Sequence, residues 1–252
     1  MKFFHDFNSN FTNTVIDYID FHIQTLYTIN IVQIYFLKHK LQNKKIIYMR
    51  IAFFGGTFDP PHDGHLELAR HILRIGKTDK ILIVPAYDPP HKPEEKISSY
   101  EDRYEMLKML VESEPDIVVS DIEYRAQLKP SYSYKILNLL AKRFPEDKVQ
   151  LIIGGDSLVT LNTWYKAHEI VAEYEILCYP RKGFEYDENS LGLHWNEKEI
   201  DILLKSSLQM PFFDISSTSV RKQIAEHRNS KNVNKKILEY INKKGLYSRE
   251  NA

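Results

Sequence analysis

The chain has 252 residues, 43% of them hydrophobic and 27% charged, which suits one or two packed domains and excludes wholesale disorder. Lys plus Arg equals Asp plus Glu at 34 each, so bulk positive charge cannot coat a nucleic acid, although a small local anion site remains possible. The lone cysteine, Cys178, excludes an intrachain disulfide and a cysteine-based zinc site, and it fits a reducing, cytoplasmic compartment.

Residues 1–48 are unlike the rest: they contain no Gly, Pro, Ala or Glu. Val15 to Leu37 is long enough to span a bilayer, but Asp17 and Asp20 at that depth argue against a spanning helix. A signal peptide would need a basic start, an unbroken apolar run and a small-residue cleavage site, and none is present. Three readings remain. Ile16, Ile19, Ile23 and Tyr27 fit an amphipathic helix. The segment also fits a partner-binding arm, or an atypical extension ahead of a natural start at Met49. The last is favoured, because Met49 stands two residues before an apolar strand. The expected organisation is an N-terminal extension, 1–48, and a single domain, 49–252. A membrane-surface anchor is disfavoured, because Asp17 and Asp20 interrupt the apolar stripe.

From Met49 onward the elements alternate. Ile51 to Phe54 is a buried strand running into Gly55-Gly56, and Leu66, Ala69, Ile72 and Leu73 then mark one face of a helix. Ile81 to Val84 is a second strand, stopped by Pro85. A helix is expected over 101–113, a strand over 117–119, a helix from Ser133 to Arg143 and a strand from Val149 to Ile153. A fifth strand is expected from Tyr174 to Cys178, with closing helices over 219–227 and 233–243. Strands apolar on both faces, alternating with helices, define an α/β doubly wound, Rossmann-like parallel sheet with helices on both faces. Ligands of such sheets bind beyond the carboxyl ends of the strands. There is no internal repeat.

The first loop, Gly55 to His65, carries the densest chemistry. Its glycines let backbone N–H groups approach an anion, and Pro60 and Pro61 stiffen it. His62 and His65 are three residues apart where a helix begins, so both rings can lie at its N-terminus, where negative charge is favoured. Taken singly, each histidine is a helix cap. Together with the strand and glycines they suit a phosphate whose charge changes in a transition state. The loop is neither a Walker loop nor G-x-G-x-x-G, and His62, His65 and Asp59 have poor zinc spacing. Ile215 to Arg221 offers hydroxyls, helix N–H groups and a guanidinium to polyphosphate oxygens, although alone it would be an ordinary Ser/Thr cap.

Gly55–His65 resembles the GGTFDPxHxGH signature of the HxGH nucleotidyltransferase superfamily, and Ile215-Ser216-Ser217-Thr218-Ser219-Val220-Arg221 is similar to its ISSTxxR signature. Further segments resemble the nicotinate-nucleotide adenylyltransferase branch. They are Asp88 to Lys92, Pro130 to Ser133, Gly154 to Leu158 continuing through Leu161, Trp164, Tyr165 and Ile170, and Arg181-Lys182-Gly183. The resemblance runs from Met49 to about Tyr247. It departs at Ser133, where the family usually has Thr, and at 127–129, which lack a Gly.

The resemblance implies adenylyl transfer from ATP to nicotinate mononucleotide in NAD biosynthesis, giving deamido-NAD and pyrophosphate. His62 and His65 would be the catalytic pair. Gly55, Gly56, Thr57, Phe58, Lys92, Asp156, Ser216, Ser217, Thr218 and Arg221 would bind ATP, with Asp156 on the ribose. Ser133, Trp164 and Tyr165 would bind nicotinate mononucleotide. Mg²⁺ would arrive with ATP and need no dedicated protein ligands. No nucleic-acid or membrane partner is expected, and a homo-oligomer is possible. Tyr100, Arg103 and Tyr104 are read as a helix face. His71, His168, His194 and His227 are read as solvated, as are Lys235, Lys236, Lys243 and Lys244. The competing readings are another HxGH nucleotidyltransferase, acting on nicotinamide mononucleotide or phosphopantetheine, and a non-catalytic nucleotide-binding module.

Overall fold

The computed structural model describes residues 48–89, 97–213, 215–226 and 230–248. The 1–47 segment, Lys92 and His227 therefore lie outside the described residues.

Five parallel strands form one sheet: β1 Arg50–Gly56, β2 Lys80–Pro85, β3 Ile117–Val119, β4 Lys148–Gly154 and β5 Glu175–Tyr179. Their spatial order is β3-β2-β1-β4-β5. The chain moves outward from β1 through β2 to β3, then returns to the far side of β1 for β4. The reversal opens a crevice between the carboxyl ends of β1 and β4, which is where ligands of such sheets bind. Gly56, the last residue of β1, faces Pro85 of β2, so Pro85 ends the strand from inside it and its missing N–H is tolerated there.

Between and after the strands come α1 Asp63–Arg74, α2 Tyr100–Val111, α3 Ile122–Arg125, α4 Ser133–Arg143 and α5 Gly155–Val159. They are followed by α6 Ala167–Glu173, α7 Glu188–Leu191, α8 Glu197–Lys205, α9 Ser217–Ala225 and α10 Lys235–Lys244. Strand residues alternate between two apolar layers, because successive side chains point to opposite faces. Ala52, Phe54, Ile81, Ile83 and Ile152 form one layer with Leu66, Ala69 and Ile72 of α1, Met106, Leu107 and Leu110 of α2, Val220 of α9 and Ile237 of α10. On the other face, α4 packs against β4. Burying α1's core residues, Leu68 among them, is what orients its N-terminus at the crevice.

Two expectations, on Arg103 and Tyr174, are corrected. Arg103 does not lie on an outer helix face: it is 2% exposed, because α2 starts against the loops at the carboxyl end of the sheet. His168 is exposed, as expected, and bonds Glu199 at 2.7 Å. Lys236 and Lys244 are exposed, as expected, and pair with Glu112, which ends α2, and with Asp102 of α2, so tying α10 to it. Tyr174, expected in β5, is instead the residue that ends α6.

Candidate active site

The loop from β1 to α1 is held in one shape by its own residues and by distant ones. Phe58 has φ of 52°, a left-handed conformation that a bulky residue adopts only when its surroundings enforce it. Its buried ring meets Phe54 edge-on, with centroids 5.4 Å apart, and His65 at 4.9 Å. Those contacts fix the backbone that presents the Thr57 and Phe58 amides. Arg103 donates to the carbonyls of Thr57 and Ala86, both at 2.8 Å, and to that of Ser98 at 3.1 Å. It thereby joins the ends of β1 and β2. The Asp59 carboxylate accepts from the Tyr247 hydroxyl and the Ser98 N–H.

His62 precedes α1 in extended conformation, and its N–H donates to His65 Nδ1 at 3.2 Å. The two rings stack with centroids 3.6 Å apart at 23°. Burial, and then the positive charge of Arg181, pull the His62 pKa down to about 4. Burial, His62 and Arg181 hold His65 well below its ordinary value. Both imidazoles are therefore neutral at pH 7. Since His65 Nδ1 accepts a hydrogen bond, its proton sits on Nε2, which is then a neutral donor. His62 Nδ1 is buried with no hydrogen-bond partner among the described residues. Gly64 is required beside it, because a Cβ there would lie 3.0 Å from both His62 Nδ1 and Ile215 Cβ.

Across the crevice, Asp156 opens α5 at the end of β4, and Arg181 follows β5. Arg181 Nε and Asp156 Oδ1 stand 3.8 Å apart, both buried and neither hydrogen-bonded among the described residues. Arg181 also lies over the Tyr179 ring at 5.4 Å. Sequence reasoning matched Arg181 to a motif but gave it no place in the site. Its signal was its position directly after a strand.

The second signature meets the first in space. Ser217 Oγ donates to the Pro60 carbonyl at 2.9 Å, and Arg221 donates to the Asp59 carbonyl at 2.7 Å and contacts Thr218 Oγ1 at 3.4 Å. Ser216 caps α9 by accepting from the Ser219 N–H, a bond that uses its oxygen and not its O–H. Gly55, Gly56, Thr57, Phe58, His62, His65, Ser217 and Arg221 thus form one cluster, with Asp156 facing it across the crevice. Ser133 and Tyr165 are brought near each other through Tyr132, with Trp164 next to Tyr165 in the chain. Ser133 begins α4, Trp164 is half-buried, and the 44% exposed Tyr165 ring stacks on Tyr132 at 4.9 Å and 17°. Lys135 Nζ sits 5.1 Å over the Tyr132 ring.

A parallel sheet whose switch point carries a glycine loop, a histidine pair and two guanidinium groups defines a nucleotidyltransferase-type site. The Cytidylyltransferase-like family model matches residues 53–223. A probable nicotinate-nucleotide adenylyltransferase of Caldicellulosiruptor saccharolyticus is 37% identical over 204 residues, covering 79% of this chain and 99% of that one. The nicotinate-nucleotide adenylyltransferase of Bacillus subtilis is 32% identical, covering 79% and 98%. The chain belongs to the nicotinate-nucleotide adenylyltransferase family. The fold is also that of the Plasmodium falciparum nicotinic acid mononucleotide adenylyltransferase solved in complex with NaAD, which matches with a TM-score of 0.64 at 19% identity over 79% of this chain and 98% of that one. Among the described residues, no helix is long and apolar enough to cross a membrane.

Proposed function

We propose that this chain transfers the adenylyl group of ATP to nicotinate mononucleotide. A phosphate oxygen of the mononucleotide attacks the α-phosphorus, the bond to the bridging oxygen breaks, and pyrophosphate leaves. The attacking phosphate is already anionic at pH 7, so no general base is needed. What the protein must do is align two anions that repel each other and stabilise charge as it moves onto pyrophosphate.

One observation carries this reading. Two stacked imidazoles, His62 buried and His65 partly buried, stand at the switch point with their pKa values lowered by burial and Arg181, and His65 Nε2–H is free of the bond made by Nδ1. Neutral N–H donors can follow charge onto phosphate oxygens by hydrogen bonding, and bound triphosphate in turn favours their protonation. Arg181 and Arg221 supply the fixed positive charge, Ser216 and Thr218, whose hydroxyls accept within the fold, supply O–H donors, Ser217 holds the loop through Pro60, and the 55–58 loop supplies amides. Asp156 accepts a ribose hydroxyl. Ser133, Trp164 and Tyr165 receive the nicotinate ring and its carboxylate.

Nearly every group in this cluster is a donor to anions. Among the described residues, no three His, Cys, Asp or Glu side chains are grouped to hold a metal ion. This donor set fits Mg²⁺ that is carried by the triphosphate and its waters, where it neutralises phosphate charge.

The test is pyrophosphate release by the full chain and by residues 49–252. Each receives ATP and Mg²⁺ with nicotinate mononucleotide, nicotinamide mononucleotide, phosphopantetheine or glycerol phosphate. Turnover with nicotinate mononucleotide alone, from both proteins, is expected, with residues 1–48 dispensable. Turnover with a different acceptor would reassign the substrate. Folded protein that releases no pyrophosphate with any of them would refute a transferase.

A further inference from the structure

Glu123 is a carboxylate 1% exposed on the four-residue helix α3. Burying a carboxylate is costly, so its retention calls for an explanation in what it holds. Oε1 accepts from the Tyr87 N–H at 2.9 Å and from the Ser131 hydroxyl. Ser131 Oγ in turn accepts from the Asp88 N–H at 2.8 Å, and the Ser131 N–H donates to the Asp88 carbonyl at 3.1 Å. One carboxylate oxygen therefore sits at the centre of a knot joining two segments far apart in sequence. These are the loop leaving β2 (residues 86–89) and the turn that enters α4.

Both segments lead into the site. Ser131 is followed directly by Tyr132, whose ring stacks on Tyr165, and by Ser133 at the start of α4. On the other side, Tyr87 follows Ala86, whose carbonyl Arg103 holds together with that of Thr57 in the nucleotide loop. The links run Thr57, Arg103, Ala86–Tyr87, Glu123, Ser131, Tyr132. Arg103 stands at the nucleotide end of that chain of contacts and Glu123 at the acceptor end.

We propose that Glu123 is a positioning residue for the acceptor half of the site: its carboxylate sets the distance between the β2 loop and the Ser131 turn, and so places the Tyr132–Ser133–Tyr165 wall that receives the mononucleotide. It touches no substrate. The idea rests on the adenylyl transfer proposed above. It predicts that acceptor affinity and ATP affinity separate when Glu123 is changed, because displacement of a binding wall weakens the ligand on that wall alone.

The experiment is steady-state kinetics and thermal melting on the full chain, for the wild type, Glu123→Ala, Glu123→Gln and Ser131→Ala. Wild-type pyrophosphate release is measured first. No turnover with any acceptor overturns both readings; turnover with an acceptor other than nicotinate mononucleotide overturns only the substrate, and the comparison is then run with that acceptor. Glu123→Ala is expected to raise the acceptor KM about tenfold or more, the scale of a displaced binding group, with the KM for ATP within about twofold. Gln keeps a carbonyl oxygen for the Tyr87 N–H and the Ser131 hydroxyl, so Glu123→Gln should restore most of the affinity. Ser131→Ala removes the middle of the link without emptying the buried position, and decides the matter if Glu123→Ala does not fold. Its acceptor KM should rise selectively too. Both KM values rising together, or both staying constant while melting falls, would make Glu123 purely structural and overturn the inference.

Discussion

Lowering the pH from 7.5 to 5 should destabilise this protein through His62 by an amount that can be worked out. Burial and Arg181 place the His62 pKa at about 4, against about 6.5 for the group in an unfolded chain. A base whose folded pKa is depressed contributes stability that is fully present above the unfolded value and is lost as pH falls toward the folded one. At pH 5 the unfolded imidazole is almost wholly protonated and the folded one is not, which amounts to about 2 kcal/mol of lost stability. Other titrating groups, Glu123 among them, are shared by the two proteins compared, so the His62 contribution is isolated by difference. Urea unfolding of the wild type and of His62→Asn at both pH values gives the comparison. The wild type should lose about 2 kcal/mol more than the variant between them. Saturating ATP should reduce that loss, because the triphosphate favours the imidazolium in the folded state. Parallel pH slopes for the two proteins without ATP would show that His62 is not held neutral, and the argument for uncharged donors at the phosphates would fall with it.

Three other outcomes follow from the same contacts. Arg103→Met leaves three carbonyls without their donor and should cost about 3 kcal/mol, or roughly 6–12 °C in melting temperature, read by calorimetry. Gly64→Ala should lower kcat at least about tenfold, because the new Cβ crowds His62 Nδ1, while the helix propensity gained, about 1 kcal/mol, keeps the melting temperature within a few degrees. Glu123→Gln should gain stability over the wild type as pH rises: burial, opposed by its hydrogen bonds and Arg103, leaves the Glu123 carboxyl pKa raised, so the wild type loses stability above its unfolded pKa and the amide does not. Urea midpoints that track each other from pH 5 to 8 would contradict this.

The strands were legible because a parallel sheet buried on both faces leaves uninterrupted apolar runs, and Ile51 to Phe54 and Ile81 to Val84 are such runs. Helix α4 was legible at both ends, Ser133 and Arg143, because its apolar face is periodic. Helix α8 was missed, although Asn196 accepts from the Glu199 N–H and the Glu199 side chain accepts from the Asn196 N–H, a reciprocal cap that can be read in sequence. Arg103 could not have been found by pattern: its spacing suits a solvated helix face, and only the three carbonyls converging on it make it internal. Arg181 was visible as a motif, but its influence on the histidines is a matter of distance. At Ser216 the residue type fits both a cap and a phosphate contact: its oxygen accepts from the helix N–H, and that bond does not use its own O–H.

The wide separation of the two signatures has a mechanical reason. A cation attracts triphosphate from any direction, whereas a neutral imidazole does so only when its N–H is aimed at an oxygen. Aim requires a rigid loop, and this loop's own prolines and Phe58 packing leave its carbonyls to be fixed from outside. The Phe58 backbone at positive φ would relax if its ring were released, and the Asp59 and Pro60 carbonyls would turn outward if nothing bound them. Arg221 and Ser217 bind those carbonyls from α9, and Tyr247 binds the Asp59 carboxylate from just beyond α10. Tyr247 is itself buried and takes φ of 60°, so the C-terminal end of the fold is constrained along with the loop it holds. The catalytic geometry is therefore complete only when the last helices have closed onto the first loop. Damage to those helices should lower activity before it unfolds the sheet.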